Sequence, residues 1–164
     1  MSAAGIAAYL NSLETPAAHA ALLRCCGSRR WVEQMVAARP FGSDAALHAA
    51  AERAWWTLGA EDWREAFARH PRIGEATAEE WSRREQAGVD LATAATRAAL
   101  ALENRAYEQR FGHGFLICAA GRTADEMLGA LRRRLVNDPA TELRMAAGEQ
   151  VQITRLRLEK LVAP

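Results

Sequence analysis

His70-Pro71-Arg72-Ile73-Gly74 is the stretch around which we interpret the rest of the chain as scaffold. Residues 61–69 before it have a helical pattern, and Pro71 disfavours the α conformation at His70, so a helix should end there. Gly74 then permits a sharp backbone turn. The stretch therefore predicts a histidine at the end of a helix. This histidine is either only a helix terminus or a group that exchanges a proton near neutral pH.

The composition predicts an all-α protein. Ala, Leu, Arg and Glu are abundant, whereas runs of β-branched residues and Asn-Gly turns are scarce. The 164 residues can form one hydrophobic core without disulfides or metals. We expect residues 1–164 to form a single domain, a helical bundle of about seven to nine helices.

Charge and cysteine content exclude several classes of partner. The 21 basic and 20 acidic residues give no overall field that would attract nucleic acid or an anionic membrane. The chain has neither a basic, apolar leader nor a run of about 18 apolar residues, so we expect neither export nor a membrane span. Cys25, Cys26 and Cys118 lack a C-x-x-C spacing, which favours reduced thiols in a cytoplasmic protein.

A polar helix is predicted after residues 70–74. A capping box at 77–80 predicts a helix that ends at Gly88. Ser82, Glu85 and Gln86 are three and four residues apart on it and share one face. That face is either solvated or part of a functional site.

A long helix is predicted from residue 90 to about residue 110. Its apolar stripe is expected to consist of Leu91, Ala94, Ala95, Ala98, Leu102 and Ala106. Residues 111–121 then place three glycines around an apolar run. They form either a short buried strand or an extended core segment, or else a backbone that approaches a ligand. We expect His113 in this segment to be structural or to lie at a rim.

The last two helices carry most of the remaining charge. A second capping box at 123–126 begins a helix whose arginines 132–134 are expected mostly outside. The final helix should run from about residue 141 to about residue 162. Within it Arg157 interrupts the apolar column of Ile153 and Leu161. An inward-leaning arginine requires an acidic partner or an anionic ligand.

Four spaced motifs extend over most of the chain, and Trp31-Val32 and Arg39-Pro40-Phe41 precede them. The motifs are His70-Pro71-x-x-Gly74, Ser82-x-x-Glu85-Gln86, Tyr107-Glu108-x-Arg110-Phe111-Gly112-x-x-Phe115-Leu116-Ile117-Cys118-Ala119 and Ile153-x-x-x-Arg157-Leu158. This combination resembles the family of decarboxylases that act on 2-oxo-4-hydroxy-4-carboxy-5-ureidoimidazoline (OHCU). The resemblance implies an all-α bundle, an OHCU substrate from urate breakdown, an S-allantoin product, no cofactor or metal, and a homodimer.

The resemblance also implies roles for individual residues. His70 matches the family's catalytic histidine, and Pro71 matches a residue beside the substrate. Ser82, Glu85 and Gln86 match the polar binding and catalytic trio, with Glu85 counted as catalytic. Arg157 matches a substrate-binding arginine, and residues 115–119 match a segment that meets the substrate largely through its backbone. His113, Gly114 and Arg72 depart from the family pattern.

The implied reaction suggests a hypothesis for the role of each of these residues. His70 would deliver a proton to one face of the intermediate, and Glu85 would either orient His70 or engage the substrate hydroxyl. Arg157 would bind an anionic or carbonyl edge, while Ser82, Gln86 and the main chain would read the amides.

Two other classes of function stay open on sequence alone. One is a non-catalytic helical interaction domain with an exposed face drawn from Trp31, Trp55, Trp56, Trp63 and Trp81. The other is a metal-dependent hydrolase of a ureido compound that uses His70, His113, Glu85 and Cys118. These four residues lack the i, i+4 pairing of familiar zinc helices.

Overall fold

The computed structural model describes residues 5–74, 80–90 and 92–163, and these residues form helices and loops without a strand. The all-helical prediction is confirmed. Ten helices occur in the described ranges rather than seven to nine, because two of them have only six and four residues. The helices are α1 Ile6–Ser12, α2 Thr15–Cys25, α3 Arg29–Ala37, α4 Asp44–Trp56, α5 Ala60–Phe67, α6 Glu80–Glu85, α7 Ala87–Asp90, α8 Ala94–Phe111, α9 Ala124–Leu135 and α10 Pro139–Lys160.

The chain divides into two compact units, which are described separately. The first consists of the residues up to Ala66 together with those from Val151 onward, and the second is Phe67–Gln150. In the part of the chain that the structure covers, no helix has the length and apolar character to cross a membrane.

Tryptophan side chains form much of the core of the first unit. The hydroxyl of Ser28 accepts from the amide of Trp31 and so caps α3, and the Trp31 indole donates to the Ala51 carbonyl at 3.0 Å. The Trp63 indole donates to the Trp55 carbonyl at 3.1 Å. Trp31, Trp55 and Trp63 are therefore buried, and the expectation of an exposed tryptophan face is wrong for these three.

The core of the second unit lies between α8 and α9. Leu100 and Tyr107 of α8 pack with Met127 and Leu131 of α9 and with Phe115. These side chains are buried with at most 7% of their surface exposed. Apolar burial of this extent is the main source of stability for the unit.

The buried face of α8 is not the one that its alanine pattern predicts. Among the predicted stripe, Ala94, Ala95 and Ala98 are exposed and Leu102 is 66% exposed, while Leu91 lies outside the described residues. The buried residues are Leu100, Asn104 and Tyr107. These three residues are spaced so that they share one face of the helix. The face is hard to recognise in the sequence because Asn104 is polar. Its amide is satisfied inside the unit by donating to the Ile73 carbonyl at 3.1 Å.

The helix predicted to stop at Gly88 is divided instead. α6 ends at Glu85, and Gly88 lies within α7. The capping residues Thr77, Ala78 and Glu79 lie outside the described residues. A Cβ atom on Gly88 would lie 2.1 Å from the Arg122 carbonyl oxygen. Gly88 is therefore required for close packing rather than as a helix terminator.

A buried ion pair connects α8, α9 and α10 within the second unit. Arg134, which was expected outside, is 4% exposed. Its Nε donates to Oε1 of the fully buried Glu142 at 2.7 Å, and its Nη1 donates to the Leu116 carbonyl at 2.6 Å. The Tyr107 hydroxyl donates to the same carboxylate at 2.5 Å. Burial and the hydrogen bond to Glu142 raise the pKa of Tyr107, so this phenol stays a neutral donor.

Replacing one partner of this pair should destabilise the protein strongly. We expect Arg134→Met to lower the free energy of unfolding by about 3–5 kcal/mol, since it leaves the Glu142 carboxylate buried without its cation. Urea denaturation measures this change. The matched control is Arg132→Met, which removes an exposed pair with Glu103 of 2.8 Å and should cost at most about 1 kcal/mol. Equal losses for the two variants would contradict the role of the buried pair.

Candidate active site

His70 lies where the sequence places it, just beyond a helix end. α5 ends at Phe67, and the His70 amide donates to the Phe67 carbonyl at 3.1 Å. The ring is partly buried, and its Nε2 lies 2.7 Å from Oε1 of Gln150. Gln150 is fully buried in α10. Gln150 was not predicted from the sequence, although it is a polar residue in the buried column formed by Ala146 and Ala147.

A cavity of about 200 Å³ opens beside His70. Its lining combines apolar side chains with polar and charged ones, a combination that small-molecule sites also show. Four residues expected in the site from the sequence line it, namely His70, Pro71, Phe115 and Leu116. The complete lining is Phe67, Ala68, His70, Pro71, Arg72, Glu108, Gly114, Phe115 and Leu116.

An ion pair lies at the edge of this cavity. Arg72 Nε donates to Glu108 Oε1 at 2.6 Å, and Arg72 Nη2 donates to Oε2 at 2.9 Å. Both residues line the cavity and both are partly exposed. The two parallel bonds fix the guanidinium plane beside the His70-Pro71 turn.

Residues 115–119 are an extended core segment rather than a strand, and all five are buried. Side chains satisfy their backbone polar groups in place of a neighbouring strand. Arg134 donates to the Leu116 carbonyl, the Cys118 amide donates to Glu149 Oε2 at 3.2 Å, and Arg122 Nε donates to the Cys118 carbonyl at 3.1 Å. Phe115 and Leu116 reach the cavity, while Ile117, Cys118 and Ala119 continue the segment into the core.

Ser82 and Glu85 lie in α6 and Gln86 in the turn after it, and the three do not form a simply solvated face. Ser82 is buried, which contradicts a solvated role for it, and Glu85 and Gln86 are half-buried. The Gln86 side-chain oxygen accepts from the Gly74 amide at 3.0 Å, so it holds the turn that follows His70. Burial raises the pKa of Cys118, and the charges of Glu149 and Glu85 raise it further.

His113 is a structural histidine, as expected. Its ring packs against Phe67, with ring centroids 5.3 Å apart, and edge-on against Tyr107 at 5.6 Å. Nδ1 lies 3.1 Å from the Gly114 carbonyl. Aromatic packing of this kind fixes the ring in the wall behind the cavity.

Arg157 belongs to the first unit and is buried, as its place in an apolar column predicts. Nη1 donates to the Arg24 carbonyl at 3.2 Å. Arg24 lies in the last turn of α2, where carbonyl groups attract a cation. Arg157 also opposes the rise in pKa of Cys25 and Cys26, but burial prevails and raises both values to about 12.

The metal-dependent alternative has no supporting geometry among the residues described. No three His, Cys, Asp or Glu side chains within them are arranged to hold a metal ion. This includes the set of His70, His113, Glu85 and Cys118 that the alternative requires.

The structure defines an all-helical protein with a partly buried histidine at a small cavity. The chain belongs to the OHCU decarboxylase family, whose model matches residues 11–159. The family assignment made from the four motifs is thereby confirmed.

Several relatives support this membership. The uric acid degradation bifunctional protein TTL of Arabidopsis thaliana is 40% identical over 145 residues, which cover 84% of this chain and 45% of that protein. The 2-oxo-4-hydroxy-4-carboxy-5-ureidoimidazoline decarboxylase of Amia calva is 38% identical over 89 residues, 54% of this chain and 51% of that protein. This chain therefore spans about half the length of the curated relatives it matches.

A solved structure shows the same fold. An OHCU decarboxylase crystallised in the presence of (S)-allantoin superposes with a TM-score of 0.79 and 36% sequence identity. The match covers 93% of this chain and 100% of the solved chain.

The environment of the thiols predicts that none of them is an active nucleophile. Burial raises the pKa of Cys25 and Cys26 to about 12 and also raises that of Cys118, so all three stay neutral at pH 8. We expect iodoacetamide to label the folded protein very slowly at pH 8. In guanidinium chloride the three cysteines should all react, which mass spectrometry detects. A rapidly labelled cysteine in the folded protein would contradict this assignment.

Proposed function

We propose that this protein catalyses the cofactor-independent decarboxylation of OHCU to S-allantoin in urate catabolism. Membership of the OHCU decarboxylase family supports the choice of substrate. The observation that carries the mechanism is the partly buried His70 at the cavity of about 200 Å³. A further part of the proposal is that residues 1–164 act as one decarboxylase domain, a helical bundle that works as a cytoplasmic homodimer.

The reaction does not require a metal or an electron-accepting cofactor in principle. In OHCU the carboxylate and the hydroxyl are both on ring carbon C4, beside C5, which carries the ureido group and a double bond to a ring nitrogen. When the C4–carboxylate bond breaks and CO₂ leaves, the electron pair forms a C4=C5 bond and displaces the C=N electrons onto that nitrogen, which takes the proton of the 4-hydroxyl and leaves an enolate. The protein must orient the carboxylate out of the ring plane, stabilise the developing negative charge and supply one proton to C5.

His70 is the proposed proton donor. It is the titratable side chain of the predicted set that lines the cavity, and imidazole is well suited to proton transfer near neutral pH. Delivery from one side would make the product a single enantiomer. In the proposal Glu85 engages the substrate hydroxyl or orients the histidine.

The remaining predicted residues are proposed to bind the substrate. Pro71, Phe115 and Leu116 form cavity wall, and Ser82 and Gln86 read the hydantoin and ureido amides together with the main chain of residues 115–119. Arg157 is proposed to bind an anionic or carbonyl edge.

The decisive test follows allantoin formation by circular dichroism. OHCU is generated in the cuvette from urate by the two upstream enzymes, and this protein is then added with a chelator present. Faster appearance of one enantiomer would establish both the reaction and its independence of metal. A rate equal to spontaneous decay would overturn the proposed function.

His70→Asn should lower the rate of this reaction about 10²–10⁴-fold, the usual loss for a general acid. The enantiomeric purity of the allantoin should fall as well, because protonation from solvent is not confined to one face. His19→Asn, in α2, is the matched control and should retain the wild-type rate. Unchanged rate and purity in His70→Asn would rule out the assignment of the acid.

Arg157→Lys should raise KM about tenfold, which corresponds to roughly 1.4 kcal/mol of lost binding. A lysine keeps the charge but replaces the planar fork by a point charge. Arg155→Lys serves as the control, since Arg155 is an exposed residue of the same helix. If KM stays at its wild-type value in Arg157→Lys, the side chain has a structural role only.

A further inference from the structure

A hydrogen bond joins the His70 ring to the side chain of Gln150. The Gln150 side-chain oxygen is 2.7 Å from Nε2. A carbonyl oxygen can only accept a hydrogen bond, so the imidazole Nε2–H is the donor. With the Gln150 oxygen as the acceptor, a neutral histidine carries its proton on Nε2.

We propose that Gln150 is a positioning residue that holds His70 through Nε2–H, so that the proton for the reaction is delivered from Nδ1. The proposal rests on the proposed decarboxylase function. It assigns Gln150 no contact with the substrate. Gln150 acts through the histidine by fixing both its tautomer and the plane of its ring.

Burial of Gln150 would be unfavourable if its side-chain amide made no hydrogen bond. The side chain is fully buried, and burying an amide without a hydrogen bond costs roughly 1–3 kcal/mol on the scale of protein mutations. Its helix position is also well defined, because the neighbouring Glu149 binds the Cys118 amide at 3.2 Å. The residue is therefore a fixed acceptor facing His70 rather than a mobile side chain.

The proton balance of the step is simple. The bond from C4 to the carboxylate breaks and CO₂ departs, the electron pair forms C4=C5, and the ring nitrogen released from its double bond takes the 4-hydroxyl proton. The resulting enolate then takes a proton at C5 from Nδ1 of the imidazolium. The histidine becomes the neutral Nε2–H tautomer, which Gln150 stabilises as an acceptor. Water returns a proton to Nδ1 before the next turnover.

Charged and aromatic groups at and near the cavity have contacts of their own. At the cavity, Arg72 and Glu108 pair with each other at 2.6 Å. Glu149 accepts from the Cys118 amide, and the Glu85 charge acts on the Cys118 thiol. His113 packs against Phe67, which also lines the cavity.

Two variants separate positioning from mere packing. Gln150→Met has nearly the same size but no acceptor, and we expect kcat to fall about 10–100-fold while KM changes less than about twofold, since only the proton transfer is affected. Gln150→Glu keeps an acceptor at the same place and adds a negative charge. It should recover most of kcat, and the basic limb of the pH profile should move to higher pH because a carboxylate favours imidazolium.

The control is Gln152→Met on the same helix, where the side chain is exposed. This variant should match the wild type in kcat and in pH profile. Thermal unfolding of every variant shows that it is folded before its kinetics are compared. If kcat and the pH profile of both Gln150 variants equal those of the wild type, the positioning role is overturned.

A measurement that does not depend on activity completes the test. The ¹⁵N chemical shifts of the His70 ring should show neutral wild-type histidine as the Nε2–H tautomer, and Gln150→Met should lose that preference. A wild-type Nδ1–H tautomer would overturn the proposal even with full turnover. Conversely, the Nε2–H tautomer together with no turnover of OHCU would refute the proposed function while confirming the hydrogen bond itself.

Discussion

The second unit depends on a carboxylate buried beside a guanidinium. Glu142 has no exposed surface and Arg134 almost none, so each charge would be very unfavourable without the other. Their geometry is set by further donors, the Tyr107 hydroxyl and the Asn137 amide, which satisfy the remaining acceptor positions of the carboxylate. Because Arg134 also binds the Leu116 carbonyl, the ion pair fixes the wall of the cavity as well as the helices.

The part of α10 that lies in this unit connects the ion pair to the candidate site. Near the start of α10, Glu142 orients Arg134. At the end of this part of the helix, Glu149 accepts from the Cys118 amide and Gln150 binds the His70 ring. Residues of one rigid helix thus hold both the extended segment and the histidine. A helix rises about 1.5 Å per residue with little variation, which is the precision that a proton-transfer site requires.

The extended segment shows why a site can be built here without a sheet. Buried backbone groups need partners, and in residues 115–119 arginine and glutamate side chains provide several of them. Glycines flank this segment at positions 112, 114 and 121, and Gly112 and Gly121 have positive φ angles of 75°. Those conformations favour glycine and bring the apolar run into the core at the cavity.

The sequence by itself determined the features that depend on neighbours along the chain. Thr123 caps α9 as the capping box at 123–126 predicts, since a cap joins residues three apart. The helix end before His70 and the family motifs were also readable. Only the tertiary structure decided that Asn104 and Arg134 face inward and that Gln150 faces His70. Their partners are 31, 8 and 80 residues away, and burial of a polar side chain is favourable only when folding brings such a partner within hydrogen-bonding distance.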